Sequence, residues 1–348
     1  MAEPVVKLKD VDIIFGDNPK SALAMIDEGK QRSEIQEATG QILGVAGCSL
    51  EIQEGEVLVL MGLSGSGKST LLRGINGLNP VIRGAVEVRV DNTWTNPETC
   101  SEADLRKLRL NYVSMVFQQF GLLPWRSVAE NVGFGLELAG LSKSEINQRV
   151  EKQLELVGLS DWAQKQVQEL SGGMQQRVGL ARAFATQAPI LLMDEPYSAL
   201  DPLIRSHLQN ELIDLQTRLK RTIVFVSHDL DEAIKIGTRI AIMEGGRIIQ
   251  IGTAQEILNN PTNQYVKDFV AHMNPLAVLT AQDAMQPSEK RKEKHADALS
   301  VNADASMTEV IELQLKSNMP VYIMSHDKVI GFVDKEDVHK ALLQKPNS

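Results

Sequence analysis

The sequence predicts an α/β protein with a mostly parallel, helix-covered sheet, followed by a smaller α+β unit. Apolar runs of strand length alternate with stretches of helical spacing, as at Val57–Met61, Ile190–Met193 and Thr222–Ser227. This alternation is typical of parallel sheets whose faces are covered by helices. A glycine-rich loop, Gly62–Ser69, joins the first of these runs to a helix-prone stretch, and the strand–loop–helix order supports the same fold class.

Composition narrows the range of functions. The chain has 348 residues, of which 43% are hydrophobic and 23% are charged, and its formal net charge is −9. Nucleic-acid binders need positive charge to displace counterions, so we expect no nucleic-acid partner. The apolar runs are strand-length, whereas a membrane-spanning helix needs about 20 residues, so we expect any membrane role to come through a partner. Cys48 and Cys100 are far apart and are expected to be reduced thiols.

The first half of the chain reads as strands, an insert and a helical region. We predict strands at Val5–Phe15 and Ile42–Ile52, with a polar, helix-prone insert at about 17–40 between them. A region at about 120–170 is predicted to be a helical subdomain. There, Ser142 and Glu145 resemble a capping box that begins a helix.

The last part of the chain changes in composition after about Pro275. Residues 276–298 are predicted to be a linker, because Gln286–Asp297 is charged and has no periodicity. Residues 299–348 are predicted to form a small helix–strand–strand–helix unit. Its first helix is predicted from an apolar stripe of Met307, Val310, Ile311 and Leu315. Two strand-like runs follow, at Pro320–Met324 and Val329–Val333. Asp334 is expected to cap the last helix.

The loop Gly62–Ser69 fits the phosphate-binding pattern GxxxxGK[ST] at every specified position. Glycines allow a tight turn whose N–H groups point at phosphate oxygens, and the following helix adds its N-terminal dipole. Lys68 can reach the β- and γ-phosphates, and Ser69 can bind Mg²⁺. The nucleotide-binding residues expected here are Gly62, Ser64, Gly65, Ser66, Gly67, Lys68, Ser69 and Thr70.

Two adjacent acids, Asp194 and Glu195, end an uninterrupted apolar run. Carboxylates at such a position are costly unless a cation is near. We expect Asp194 to bind Mg²⁺ and Glu195 to act as the general base that polarises an attacking water. The alternative is an acidic strand end at the surface.

The stretch Leu170–Arg177 contains Ser171, Gly172 and Gly173 just before a predicted helix. This is a second potential anion-binding helix start. One chain would then have two anion-binding helix starts but only one phosphate-loop lysine. This is expected if the second helix start completes the nucleotide site of a partner. The alternative is a plain helix start capped by Ser171.

His228 and Gln118 each follow a strand-like run. His228 can donate a hydrogen bond to a γ-phosphate oxygen, although a histidine in this position is more often a core or surface residue. Gln118 can coordinate Mg²⁺ or orient water without adding charge, and alone it is a weak signal. We list Lys68, Gln118, Glu195 and His228 as candidate catalytic residues and Ser69, Gln118 and Asp194 as candidate metal ligands.

Taken together, these motifs resemble those of the ABC ATPase family over roughly residues 5–270. The stretch LSGGMQQR separates this family from other P-loop ATPases. The resemblance implies a P-loop ATPase core that binds ATP and Mg²⁺ and pairs head-to-tail with a second copy of itself. It also implies that Ser171 and Gly173 contact the γ-phosphate held by the other copy, that Asp201 communicates across the interface, and that Phe15 stacks on adenine.

Within the family, the chain is similar to importer ATPases for quaternary-amine osmoprotectants such as glycine betaine, proline betaine and choline. The stretches that carry this resemblance are Ile14–Pro19 with its insert, Met61–Ser64, Ser198–Arg205 and Phe225–Ala233, and Leu123–Arg126 and Asn92–Thr99 are closer to the choline branch. The resemblance implies integral membrane permease subunits, an extracytoplasmic substrate-binding protein as an indirect partner, and a peripheral location at the cytoplasmic face of the bacterial inner membrane.

The C-terminal unit resembles a single CBS motif, which implies a regulatory or dimerising role. The expected domains are therefore an ABC ATPase domain at 1–275, the linker at 276–298 and the CBS-like unit at 299–348. Rival interpretations are an importer for another solute such as amino acids, an exporter, a soluble ABC ATPase acting on ribosomes or DNA, and a regulatory module with a vestigial ATPase.

Overall fold

The structure, a computed structural model, describes residues 3–271, 273–287, 299–317, 319–326 and 328–343. Most of the charged part of the expected linker, 288–298, lies outside the described residues. By compactness the described chain divides into two units: unit 1 is Met1–His228 with Ile236–Ile251, and unit 2 is Asp229–Lys235 with Gly252–Ser348. Residues 252–275, which we expected in the ATPase domain, thus group by packing with the C-terminal residues. This division reflects packing alone, so the predicted division into functional domains stays a prediction.

The strands and helices alternate through most of the chain. The strands are β1 (Pro4–Phe15), β2 (Ile42–Gln53), β3 (Val57–Met61), β4 (Arg83–Val90), β5 (Thr93–Thr95), β6 (Val113–Val116), β7 (Ile190–Asp194), β8 (Thr222–Val226), β9 (Arg239–Glu244), β10 (Arg247–Gly252), β11 (Gln286–Pro287), β12 (Ser300–Asn302), β13 (Val321–Ser325) and β14 (Lys328–Val333). The helices are α1 (Leu23–Asp27), α2 (Arg32–Thr39), α3 (Lys68–Ile75), α4 (Glu102–Lys107), α5 (Val128–Leu138), α6 (Lys143–Leu156), α7 (Gly172–Ala185), α8 (Pro202–Leu219), α9 (Leu230–Ile236), α10 (Ala254–Asn259), α11 (Gln264–Val270), α12 (Pro275–Val278), α13 (Ala281–Ala284), α14 (Met307–Ser317) and α15 (Lys335–Leu343).

The central sheet of unit 1 has the strand order β10-β9-β3-β8-β7-β6. The pairs from β9 to β6 are parallel. Every residue of β3, β7 and β8 is buried, which explains why these strands read as continuous apolar runs rather than alternating ones. The predicted mostly parallel sheet is confirmed, and the carboxyl ends of its strands meet along one edge.

A second sheet of unit 1, in the order β2-β1-β4-β5, is antiparallel. Strand assignments at β1 and β2 were predicted, but their pairing with each other in a separate sheet was not. One hydrophobic cluster includes β1, β3 and α3, with Ile13, Leu58 and Leu72 among its fully buried members. This shared core fixes α3, and the loop that precedes it, against both sheets.

The predicted insert between β1 and β2 forms two helices, α1 and α2, after a short 3₁₀ turn at Pro19–Ala22. It has its own small hydrophobic cluster, which includes Ile26, Ile35 and Leu43. An ion pair also holds it, because Arg83 on β4 contacts Asp27 at 2.7 Å. The insert is therefore a packed element of unit 1.

The helix-rich region after β6 contains α5 and α6. Ser127 with Glu130 and Ser142 with Glu145 form capping boxes at the starts of these two helices, so the cap predicted at Ser142 is present. Val150 and Leu154 are the buried residues of α6. None of the helices in the described residues is both long enough and apolar enough to cross a membrane.

Unit 2 contains a four-stranded sheet in the order β11-β14-β13-β12. The predicted helix–strand–strand–helix order is present as α14, β13, β14 and α15, and Asp334 accepts a hydrogen bond from the backbone N–H of Asp337 at 3.0 Å, as a cap does. The predicted apolar stripe was wrong at one position. Leu315 is 78% exposed, whereas the neighbouring Gln314 is 4% exposed and donates to the carbonyl oxygen of Val333 at 3.0 Å. Gln314 is therefore the buried residue of this helix turn, and its hydrogen bond to the backbone of Val333 offsets the cost of burying a polar side chain.

Candidate active site

The phosphate loop leaves β3 at Met61 and enters α3 at Lys68. Glycine is required at its two ends. A Cβ at Gly62 would lie 2.2 Å from the carbonyl oxygen of Met243, and one at Gly67, where φ is +103°, would lie 2.5 Å from that of Gly44. These contacts show that the loop is packed closely against neighbouring backbone, which a side chain at either glycine would prevent.

Lys68 lies over this loop and is 6% exposed. Its ammonium group donates to the carbonyl oxygens of Gly62 at 2.8 Å and Leu63 at 3.1 Å. Burial lowers the pKa of Lys68, and the carboxylates of Glu195 and Asp194 partly offset that effect. The loop's own carbonyls thus hold a buried cation near the carboxyl ends of the strands.

Ser66 supplies a test of whether the loop fits a phosphate group. Its side chain is 5% exposed, and its hydroxyl oxygen is buried with no hydrogen-bond partner. Buried polar groups are normally satisfied, so an unpaired hydroxyl inside a glycine-rich loop fits an anionic ligand that would pair with it. Ser64 and Gly65 are exposed at the same loop.

Asp194 ends β7 with its side chain fully buried. It accepts a hydrogen bond from the hydroxyl of Ser69 at 2.6 Å and an ion pair from Arg73 at 2.8 Å. The structure therefore brings together two of the candidate metal ligands. Arg73 was missed by the sequence analysis, although it lies four residues after Ser69 on α3 and so on the same helix face.

No cluster of three or more His, Cys, Asp or Glu side chains suited to a metal occurs in the described part of the chain. Proteins usually hold Mg²⁺ through one or two carboxylates together with substrate phosphates and waters. The candidate oxygen donors are the Ser69 hydroxyl and the Asp194 carboxylate, which are hydrogen-bonded to each other, and the Gln118 amide, which contacts Glu195.

Two of the other candidate catalytic side chains, Gln118 and His228, lie next to Glu195. Its carboxylate accepts a hydrogen bond from the Gln118 amide at 3.0 Å, and Nδ1 of His228 lies 3.7 Å from the same oxygen. The backbone of Glu195 has φ +47°, a left-handed conformation that is uncommon for a residue other than glycine. Such backbone strain is concentrated at functional sites.

The start of α7 presents Ser171, Gly172 and Gly173. Ser171 caps the helix by accepting from the backbone N–H of Met174 at 3.3 Å, so the capping geometry of the plain alternative is present. Ser171 and Gly172 are exposed. In the described residues no hydrogen bond joins any of the three to the phosphate loop of the same chain. Asp201 is likewise exposed and caps α8 by accepting from Ile204 at 3.1 Å.

Gln176, on α7, was not anticipated. It is 1% exposed, donates to the carbonyl oxygen of Glu195 at 3.2 Å and accepts from the backbone N–H of Ala199 at 2.9 Å. It therefore couples the helix that begins at Ser171 to the backbone that carries Glu195. Its position inside the LSGGMQQR stretch was the available signal.

Phe15 lies at the end of β1 and is partly buried. A Cβ on Gly44 would lie 2.9 Å from the Phe15 ring and 2.8 Å from the methyl group of Thr70. Phe15 and Thr70 thus pack over the backbone of Gly44 and fill the space that a side chain there would need.

A comparison with protein families identifies the model described as "ABC transporter" over residues 45–198. The chain is 49% identical over 278 residues to the glycine betaine/proline betaine transport system ATP-binding protein ProV of Escherichia coli strain K12, covering 80% of this chain and 68% of that protein. The chain belongs to the ABC transporter ATP-binding proteins.

Two further likenesses extend this result. The glycine betaine transport ATP-binding protein OpuAA of Bacillus subtilis strain 168 is 43% identical over 97% of this chain and 78% of its own length. Among solved structures, the dimeric post-hydrolysis state of the ATP-binding cassette MJ0796 bound to ADP and Pi is 32% identical, with a TM-score of 0.61, over 71% of this chain and 98% of that one. This ABC ATPase therefore binds nucleotide and couples ATP hydrolysis to transport.

Proposed function

We propose that the chain powers the import of a quaternary-amine osmoprotectant, glycine betaine or choline, through a membrane permease. The observation that carries the choice of solute is the likeness to OpuAA, which spans 97% of this chain and so includes its C-terminal part. ProV, named for glycine betaine and proline betaine transport, agrees. The choline alternative rests on the resemblance of Leu123–Arg126 and of the segment around Asn92–Thr99.

In this proposal the phosphate loop and its surroundings hold the nucleotide. Lys68 and the loop N–H groups bind the phosphates, and the unpaired hydroxyl of Ser66 donates a hydrogen bond to a phosphate oxygen. Phe15 stacks on the adenine. Mg²⁺, when bound, neutralises charge on the phosphate oxygens, and Ser69, Asp194 and Gln118 would hold it.

Hydrolysis is assigned to Glu195, which would accept a proton from the attacking water. The hydrogen bond from Gln118 and the nearby His228 hold the carboxylate in position. His228 would also donate to a γ-phosphate oxygen as negative charge develops on it. These roles are supported by the convergence of two side chains from different strand ends, Gln118 and His228, on the Glu195 carboxylate.

The site is proposed to be completed by a second copy. Ser171, Gly172 and Gly173 are joined to the phosphate loop of their own chain by no hydrogen bond in the described residues, and the first two are exposed at a helix start. A head-to-tail homodimer would place them over the γ-phosphate bound by the partner, with Asp201 at the same interface. The dimeric MJ0796 cassette is a precedent among the similar structures.

The permease is proposed to dock on the helix-rich region Phe120–Gly140, which directly follows Gln118. Trp125 in this region is 73% exposed, and large exposed aromatic side chains are typical anchors of interfaces. The chain would then lie peripherally at the cytoplasmic face of the bacterial inner membrane, with an extracytoplasmic substrate-binding protein acting on the far side of the permease.

The C-terminal residues 299–348 are proposed to be a single CBS-like unit with a regulatory or dimerising role. The helix–strand–strand–helix order of α14, β13, β14 and α15 supports this proposal. Of the linker expected at 276–298, residues 276–287 instead include α12, α13 and β11, and β11 pairs with β14. A linker role is therefore proposed only for 288–298. The ATPase domain would then cover residues 1–275.

Transport is tested by uptake of labelled glycine betaine and labelled choline in cells that lack the chain and then regain it. We expect the wild-type chain to restore uptake of at least one of the two solutes, while a matched Lys68→Ala variant restores neither. Uptake that does not depend on the chain, or that Lys68→Ala restores fully, would overturn the proposal. Co-purification of integral membrane subunits separates a transporter from a soluble ABC ATPase.

A further inference from the structure

The insert between β1 and β2 places a second cation on the phosphate loop. Arg32, the first residue of α2, donates through Nη1 to the carbonyl oxygen of Gly65 and through Nη2 to that of Gly44. A Cβ on Gly67 would lie 3.3 Å from Nη2, and one on Gly246 would lie 3.2 Å from it. The guanidinium group therefore lies against glycine backbone and is partly exposed.

The charge of Arg32 has no counter-charge. Its hydrogen bonds go to two neutral carbonyls, its Nε is buried without a partner, and no ion pair of Arg32 occurs among the residues that the structure describes. Partial burial lowers the pKa of Arg32, which fits a half-buried cation without an acid beside it. Guanidinium groups remain charged at neutral pH and match phosphate oxygens in geometry.

The location of Arg32 along the nucleotide follows from its two acceptors. Gly65 belongs to the phosphate loop, whereas Gly44 lies against the Phe15 ring and the Thr70 methyl group. The guanidinium thus lies between the proposed adenine support and the phosphate-binding loop, at the stretch that the ribose and the α-phosphate would cross.

The insert does not depend on Arg32 for its attachment. Arg83 holds Asp27 through two hydrogen bonds at 2.9 and 2.7 Å, and Arg247 donates to the carbonyl oxygen of Ile26 at 3.2 Å. The insert also packs through its own apolar cluster. A role for Arg32 in anchoring alone would leave its unpaired charge unexplained.

We propose that Arg32 is a further nucleotide-binding residue, which pairs its guanidinium with the ribose–α-phosphate part of the bound nucleotide. This inference rests on the proposed location of ATP on the Gly62–Ser69 loop. It makes the insert a functional part of the nucleotide site, because Arg32 is the first residue of α2.

The test is the dissociation constant of the full-length chain for a fluorescent ADP analogue, with and without Mg²⁺. We expect Arg32→Ala to raise the constant about tenfold, the loss of roughly one charge-assisted hydrogen bond, and Arg32→Lys to raise it less. The matched control is Asp27→Asn, which breaks the insert's ion pair with Arg83 and brings no change to the phosphate loop. We expect it to change the constant less than about twofold, as for other exposed ion pairs.

An Arg32→Ala variant that melts like the wild type and binds the nucleotide equally well overturns the proposal, as does an equal loss in Arg32→Ala and Asp27→Asn. If Arg32→Ala does not fold, Arg32→Lys decides in the same way, by whether its affinity falls relative to Asp27→Asn. Lys68→Ala distinguishes failure of this inference from failure of the proposed nucleotide site. If Lys68→Ala loses nucleotide binding and Arg32→Ala does not, only the role of Arg32 is refuted. If Lys68→Ala binds the nucleotide as the wild type does, the proposed location of ATP on the Gly62–Ser69 loop is refuted.

Discussion

Glu195 is the side chain on which the proposed hydrolysis depends. It combines a positive φ, a hydrogen bond from Gln118 and proximity to His228. The amide of glutamine has nearly the same shape as the carboxylate but cannot accept the proton. We therefore expect Glu195→Gln to lower the hydrolysis rate at least a hundredfold, within the range that general-base removal gives, while ATP binding persists.

The measurement for Glu195→Gln is steady-state phosphate release beside equilibrium ATP binding. Asp201→Asn is the comparison variant, because it alters a carboxylate that takes no part in the proposed proton transfer. Its effect should appear in communication between the two copies. Wild-type turnover by Glu195→Gln would show that the general base is elsewhere.

Gln176 is expected to transmit the position of α7 to Glu195. Replacing Gln176 with alanine removes two part-buried hydrogen bonds, to the backbone of Glu195 and of Ala199, at a cost of about 1–3 kcal/mol in total. We expect a lower melting temperature and a lower hydrolysis rate, with nucleotide affinity retained because no contact with the phosphate loop is lost. Hydrolysis at the wild-type rate in a destabilised Gln176→Ala variant would limit this residue to a structural role.

The two thiols are expected to differ in reactivity. Burial raises the pKa of Cys48 to about 11 from its ordinary 9.0, whereas Cys100 is partly exposed. Since only the thiolate reacts, and a raised pKa keeps the thiol protonated at pH 8, the native chain should label with iodoacetamide at Cys100 alone. Mass spectrometry should show a second label only after unfolding, and rapid native labelling of Cys48 would contradict its burial.

Most residues of the candidate site could be predicted because parallel strands end at one edge of the sheet. Asp194, Glu195 and His228 each follow a buried strand, so their proximity is a consequence of topology. Arg32, Arg73 and Gln176 were missed for a different reason. Each lies in a polar or helical stretch where arginine and glutamine are ordinary surface residues, and their partners are backbone groups or residues distant in sequence.

At the scale of elements, capping makes a prediction that is separate from catalysis. Ser142 begins α6 by accepting from the backbone N–H of Glu145 at 3.3 Å, and the Glu145 carboxylate accepts from the N–H of Ser142 at 3.1 Å. We expect Ser142→Ala to lower the free energy of unfolding by about 1 kcal/mol. ATP hydrolysis should be unchanged, since α6 contributes no residue to the phosphate site. Denaturant unfolding measures the first effect, and an unchanged midpoint would mean that the cap contributes nothing measurable.

Strands were easier to predict than their pairing. The apolar runs at β3, β7 and β8 are buried at every position, and this leaves a plain signal in the sequence. The partnership of β1 with β2 and β4 has no local signal because it joins segments separated by the insert and by α3. Helix α14 shows the same limit, since its inward Gln314 is satisfied by the backbone of Val333, a contact that periodicity does not reveal.

At the scale of the whole molecule, the chain contains the parts of one nucleotide site but not all of them in one place. The phosphate loop, Asp194 and Glu195 meet at the edge of one sheet, whereas Ser171 and Gly172 are exposed at the start of α7. A site completed by a second copy explains this separation. It also explains why the sequence carries a second potential anion-binding helix start, at Ser171, but one phosphate-loop lysine.

The most direct measurement of this claim is ATP hydrolysis by a mixture of two inactive variants. Lys68→Ala disables the phosphate loop, and Ser171→Arg disables the helix start that would reach across. In a head-to-tail dimer of one copy of each, one of the two sites combines an intact loop with an intact helix start. We predict that each variant alone is inactive and that the mixture regains hydrolysis, about a quarter of the wild-type rate if copies pair at random and sites act independently. Undiminished hydrolysis by Ser171→Arg alone, or a mixture as inactive as its components although mixed dimers are shown to form and bind ATP, would contradict the account.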